Sequence, residues 1–211
     1  MKFVFFVEGQ TEKRVLPRFL KRWIDPKLSR PVGIQIVRFE GFSQFSRKIT
    51  KKAQMHLDGP DSTEIVGAIG LLDLYGYHRS INRDFTDIAR CYVLEKKRIE
   101  KSVNRPMFRM FFAVHELEAW LLADPNIFPS RIKQAFPGNI DHPEKINFNT
   151  PPAKLLNQLY RQQQGKCYKK IAYGSDLFMK LDPAIVCRKC PFLKAMLEEL
   201  LALARNAGLE Q

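Results

Sequence analysis

Four acidic residues of this chain, Glu8, Asp73, Glu116 and Glu118, stand at or just beyond the ends of apolar runs. Those runs are Lys2–Val7, Glu64–Leu72 and Met107–Val114, each of a length that suits one buried strand. Carboxylates gathered at neighbouring strand ends repel one another unless they are protonated or a positive charge sits between them. A hard divalent cation is the usual positive charge: Mg²⁺ takes oxygen ligands, keeps several waters and engages one or two carboxylates and a phosphate. In phosphodiester hydrolysis such an ion polarises a phosphoryl oxygen and activates water. Glu8, Asp73 and Glu116 are therefore candidate ligands for Mg²⁺ or Mn²⁺, and Glu118 joins them as a candidate catalytic residue. Each acid also has a plainer role, because carboxylates at helix starts favour the macrodipole: Glu8, Glu116 and Glu118 as helix-start acids, Asp73 as a turn acid.

The elements that must position these acids alternate. After Val7, the segment Glu8-Gly9-Gln10-Thr11-Glu12 breaks the strand, and Val15, Leu16, Phe19, Leu20, Trp23 and Ile24 then recur at helical spacing. Gly9 is expected to make the sharp turn, and Thr11 or Gln10 to cap the helix. Gly33–Phe39 reads as a second strand, and Phe42, Phe45, Ile49 and Ala53 as the stripe of a second helix. The Glu64–Leu72 strand is followed by a loop and then a helix over Asp84–Lys101. The Met107–Val114 strand leads into a short helix stopped by Asp124-Pro125. Four strand–helix alternations predict an α/β fold with a mainly parallel sheet of about four strands flanked by helices. In such sheets ligands bind in the crevice at the carboxyl ends of the strands, where these acids fall.

Beyond Asp124, prolines punctuate a loop-rich region with helices over Ala153–Gln164 and after Pro191. The sequence thus divides into an α/β core, residues 1–124, and a helical C-terminal extension, residues 125–211, packed on it. Trp23 and Trp120 fall in apolar stripes and are expected in the core. His115 is either a metal ligand or a hydrogen-bonded structural residue.

With 35 Lys plus Arg against 22 acids, the formal net charge is +13. That excess favours a polyanionic partner, most simply nucleic acid. Lys13 and Arg14 flank the opening turn, and Arg79 and Arg83 lie in the expected loop after Asp73; these four are candidate phosphate contacts, with surface solvation as the plainer role. No apolar run is long enough to span a bilayer, and the amino terminus does not read as a secretory signal. The expected location is cytoplasmic, with Cys91, Cys167, Cys187 and Cys190 as reduced thiols. Cys187 and Cys190 have zinc-ligand spacing but lack a second pair.

The motifs carry a resemblance. Val7-Glu8-Gly9-Gln10-Thr11-Glu12 resembles the first motif of TOPRIM-like proteins, which include the nuclease domains of the OLD family. Leu71-Leu72-Asp73-Leu74-Tyr75 falls where that fold carries its Asp-x-Asp motif. More narrowly, the chain is similar to a bacterial family of small TOPRIM-like proteins known only as a domain of unknown function. That family shares His115-Glu116-Leu117-Glu118-Ala119, Pro143-Glu144-Lys145-Ile146-Asn147, Pro151-Pro152-Ala153-Lys154-Leu155 and Cys190-Pro191. The resemblance covers nearly the whole chain. It implies a Rossmann-like TOPRIM core, a metal site centred on Glu8 and Asp73, and an ABC- or SMC-like ATPase partner in phage defence; a homodimer is compatible with it. Tyr75 stands where the second Asp of Asp-x-Asp would be, and Glu116 or Glu118 is the candidate replacement. Two functions follow: a metal-dependent nuclease or related phosphoryl-transfer enzyme, or a catalytically degenerate effector that binds nucleic acid or regulates a partner.

Overall fold

A computed structural model of the chain describes residues 1–81, 88–138, 140–145 and 150–210, with side chains described in these ranges except at 78–81 and 88. Four strands, β1 (Lys2–Val7), β2 (Gly33–Arg38), β3 (Ile65–Asp73) and β4 (Phe108–Ala113), form one sheet in the order β2-β1-β3-β4. Every pairing is parallel, as the strand–helix alternation predicts. β1 and β3 are buried along almost their whole length, which is why both read as continuous apolar runs rather than alternating ones. The order reverses between β1 and β3. That reversal is the topological switch point, where the crevice of an open α/β sheet lies.

The helices α1 (Gln10–Ile24) and α2 (Phe42–Leu57) follow β1 and β2 as their apolar stripes predict. α3 (Leu74–Ile81) occupies the stretch expected as a loop, so position 79 lies on a helix, and α4 (Ile88–Val103) leads to β4. The helix expected to begin at Asp84 thus begins, among the described residues, at Ile88. Arg83 lies outside the described residues. Beyond the short α5 (Glu118–Leu121) come α6 (Ser130–Gln134), α7 (Pro152–Gln164), α8 (Ser175–Lys180), α9 (Pro183–Lys189) and α10 (Pro191–Asn206). No helix among the described residues is long and apolar enough to cross a membrane.

The helical region packs on the core through aromatic rings. Phe19 of α1 stacks on Trp120 of α5 at 5.8 Å, and Phe178 of α8 meets both in edge-to-face contacts. α10 lies against β3 so closely that a Cβ added at Gly67 would come within 2.9 Å of Leu203 Cδ1. On the outer edge of β4, α4 supplies what a further strand would. Glu100 accepts from the Met110 amide at 2.8 Å, and Lys96 donates to the Met110 carbonyl at 3.0 Å. One face of α4 is fastened to α3 by Tyr77, Glu95 and Arg98, with Arg98 donating to both partners at 2.6 and 2.7 Å.

Several helices begin without a cap from their own N-cap residue: α1, α2, α7 and α10 have none. Three of these starts are instead satisfied by carboxylates from distant chain. Glu8 accepts from the Phe42 amide of α2, and Glu116 from Ala153 of α7 at 3.0 Å. Glu144 accepts from Phe192 and Leu193 of α10 at 2.8 and 3.1 Å. Glu144 is buried, and burial outweighs these bonds and raises its pKa to about 7. Because the folded-state value lies above the unfolded one, the stability contributed by this group is present below about pH 4.5 and is lost as pH rises through about 7. Glu144→Gln removes that ionisation. In urea titrations, wild type is expected to lose roughly 2–3 kcal/mol more than the variant between pH 5 and pH 8. Glu144→Ala leaves one buried and one part-buried amide without their acceptor and is expected to cost about 1–3 kcal/mol at pH 5.

Candidate active site at the switch point

Glu8 immediately follows β1, and Asp73 closes β3, its register neighbour. Between them opens a cleft of about 380 Å³ lined by Glu8, Gly9, Glu12, Asp73, Glu116 and Lys170, with Tyr75 at its edge. The sheet order thus brings three of the acids singled out by the sequence to one rim. Glu118 lies beneath that rim rather than on its surface, 2% exposed.

The chain after β4 folds back across Asp73. His115 adopts a left-handed backbone, φ 66°, and this turn aims the Leu117 amide at Asp73 Oδ1, 3.1 Å away. The His115 carbonyl accepts from the Tyr75 amide at 2.9 Å, which fixes the start of α3 against the same turn. The His115 ring is fully buried, and burial lowers its pKa. It packs toward the Glu144 backbone rather than into the cleft.

Glu12 was not legible as a site residue, yet it lines the cleft from the first turn of α1, four residues after Glu8. Neither Thr11 nor Gln10 caps this helix; Gly9 is the N-cap residue and Glu12 accepts from its own amide. Gly9 itself has φ −121° and ψ 177°, ordinary extended backbone, so no left-handed turn explains it. Space does: a Cβ at Gly9 would lie 2.5 Å from Glu12 Oε2.

Lys170 is the other residue missed. It comes from a five-residue π-helical turn, Lys170–Gly174, held by rings on either side. Tyr173 stacks on Tyr160 of α7 at 5.3 Å, and Tyr168 packs on the same ring at 5.5 Å. The Lys170 ammonium donates to Glu116 Oε1 at 3.3 Å and to Glu118 Oε2 at 3.1 Å. The carboxylates crowd this one cation. Burial raises the pKa of Glu8, Glu12 and Glu118, with neighbouring acids adding to the effect at Glu12 and Glu118. Asp73 is pushed well above the usual carboxylate range, by burial first and by Glu12, Glu118 and Glu116 after it. Lys170 is held charged by the same acids, against its own burial.

The donor chemistry suits a hard divalent cation, since every ligand offered is a carboxylate oxygen. Among the described residues, however, no three His, Cys, Asp or Glu side chains are grouped to hold one ion. Cys187 and Cys190 gain no zinc partners by the same measure, and Cys190 is buried beside the start of α10. Lys13 and Arg14 are exposed on α1 but do not line the cleft.

A family model for a domain of unknown function, DUF4276, matches residues 7–201. The chain belongs to that family. No match was found among curated proteins or among solved structures. The DUF4276 match begins at the last residue of β1 and ends inside α10. Glu8, Glu12, Asp73, Glu116, Glu118 and Lys170 therefore all lie within the matched residues, as do α6 to α9 and the greater part of α10.

Two outcomes are expected of this arrangement. Gly9→Ala is accommodated by a swing of the Glu12 carboxylate, so its thermal stability should stay level or rise by up to about 1 kcal/mol, while the rim loses the present position of Glu12. A larger loss would show Glu12 to be locked. Glu12→Gln relieves repulsion that grows as the raised-pKa rim acids ionise with rising pH. It should stabilise the chain at pH 8 and do little at pH 4, as measured by chemical denaturation at both values.

Proposed function

We propose that the DUF4276 chain is a TOPRIM-like phosphodiester hydrolase acting on nucleic acid with Mg²⁺ or Mn²⁺ at the switch-point rim. The observation that carries this reading is the charge balance of the site: Glu8, Glu12, Asp73 and Glu116 on the rim and Glu118 beneath it share, among the described residues, the one ammonium lining the cleft, that of Lys170. A chain that gathers this much like charge at the ligand-binding end of its sheet is arranged to receive more positive charge than it supplies. Structural capping does not use up these groups, because a carboxylate accepts at about four lone-pair sites. One or two of Glu8, Glu12 and Asp73, which stand just past β1, on α1 and at the end of β3, would hold the ion with waters completing its shell, and Glu116 adjoins them. When bound, the ion supplies polarisation of a phosphoryl oxygen and an activated water.

The rest of the chain serves binding. The net charge of +13 holds a polyanion near a rim that would otherwise repel it. Lys13 and Arg14 project from the helix that begins at the cleft. The motifs that resemble TOPRIM proteins, and their association with ABC- or SMC-like ATPases, support a partner ATPase in phage defence.

Tyr75 supports a second reading. It lines the cleft where a further acid would complete Asp-x-Asp, and that loss suits a degenerate effector which binds nucleic acid without cutting it.

Cleavage assays on DNA and RNA with Mn²⁺ separate the two. The hydrolase reading expects metal-dependent cleavage that Glu8→Ala and Asp73→Ala each reduce by more than the roughly 10–100-fold cost of losing a supporting group. Cleavage that survives both substitutions would remove this rim from the chemistry. Nucleic-acid binding without cleavage, and without any Mn²⁺-induced rise in melting temperature, favours the effector.

A further inference from the structure

Lys170 sits among the acids of the cleft. Its ammonium bridges Glu116 and Glu118, and it lines the same cleft as Glu8, Glu12 and Asp73. Its side chain keeps 42% of its surface exposed, against 12% for Glu116 and 3% for Glu118. Of these three ion-paired groups, the lysine is the one that reaches solvent most. It is carried on a π-helical turn of five residues rather than on a long helix or a strand. Such turns are rare and recur at functional sites.

A second observation comes from two residues earlier. The Tyr168 ring is nine-tenths buried, yet its hydroxyl has no hydrogen-bond partner among the described residues. A buried hydroxyl left unpaired is costly, and native structures rarely keep one without reason. The acids whose charge this phenol feels are Glu118 and Glu116, the two that Lys170 now engages. The same short segment therefore carries the ammonium that pairs with these two acids and a buried phenol that feels their charge.

Resting on the cation reading of the rim, we propose that Lys170 is its resident counter-ion and is exchanged for the divalent cation. In the ligand-free chain the ammonium keeps Glu116 and Glu118 from facing each other unscreened. When the cation enters, its two positive charges neutralise the rim more fully than one ammonium does, and Lys170 swings into the cleft mouth. Cation affinity is accordingly set by competition with a side chain of the same molecule, and the two occupants oppose each other by the same factor in either direction.

Mn²⁺ titration of the full chain, followed by the electron paramagnetic resonance of the free ion, tests the exchange in wild type, Lys170→Met and Lys170→Arg. Methionine keeps the length and apolar stem without the charge. It should bind Mn²⁺ tighter than wild type by roughly 5–150-fold, while arginine should bind no tighter than wild type. Saturable binding by wild type with no gain in Lys170→Met overturns the exchange and leaves the cation site standing. Absence of binding in both overturns the exchange and the cation reading together. Hydrogen exchange on wild type needs no variant to fold: residues 168–174 should exchange faster when Mn²⁺ is added, and unchanged or slower exchange there contradicts the proposal.

Discussion

The fold depends on acids that belong to one element and serve the start of another. A helix begins with amides that have no partner inside the helix. In this chain α2, α7 and α10 receive theirs from Glu8, Glu116 and Glu144, none of which is near its helix in sequence. Asp73 does the same for the turn before α5 through the Leu117 amide. Each bond fixes a helix start relative to a strand end or to a distant turn, so the capping of helices and the placing of layers are one set of contacts. The cost is concentration of charge. Three of these acids lie at one end of the sheet, and Glu12 and Glu118 add to them.

Much of this was legible in the sequence. β1, β3 and the stripe of α1 follow from runs of Val, Ile, Leu and Phe whose period admits one reading, and the parallel sheet follows from their alternation with helices. The convergence of Glu8, Asp73 and Glu116 was likewise predictable, because parallel strands put equivalent ends side by side. α3 was not, since Gly76 and the polar residues after Asp73 read as a loop, while contacts such as Tyr77 with Glu95 come from α4, far along the chain. Glu12 was hidden by an ordinary reason for an acid in a first helical turn. The chain bends at Glu8 and Gly9 as the sequence predicts, but with Gly9 in ordinary extended backbone; the space it leaves for the Glu12 carboxylate is visible only in three dimensions.

Lys170 had no local signal at all. It stands in a stretch that includes Lys166 and Lys169, any of which is a fair surface residue by composition. What selects it is the packing of Tyr168 and Tyr173 around Tyr160, which turns one lysine inward and leaves Lys166 and Lys169 exposed. Aromatic stacking of this kind also joins α1, α5 and α8 through Phe19, Trp120 and Phe178. The position of the only cation lining the acidic cleft, among the described residues, therefore rests on rings that never touch the cleft.

The order in which the chain is made gives the late position of Lys170 another meaning. A domain folds as a unit, and its N-terminal part is the first to be synthesised. β1, β3 and β4, with every acid of the rim, emerge well before residue 170. The acids are thus made before the ammonium that stands between Glu116 and Glu118. A chain cut short before residue 170 would carry the whole set of acids without their counter-charge, so the charge balance of the rim is a property of the nearly full-length chain.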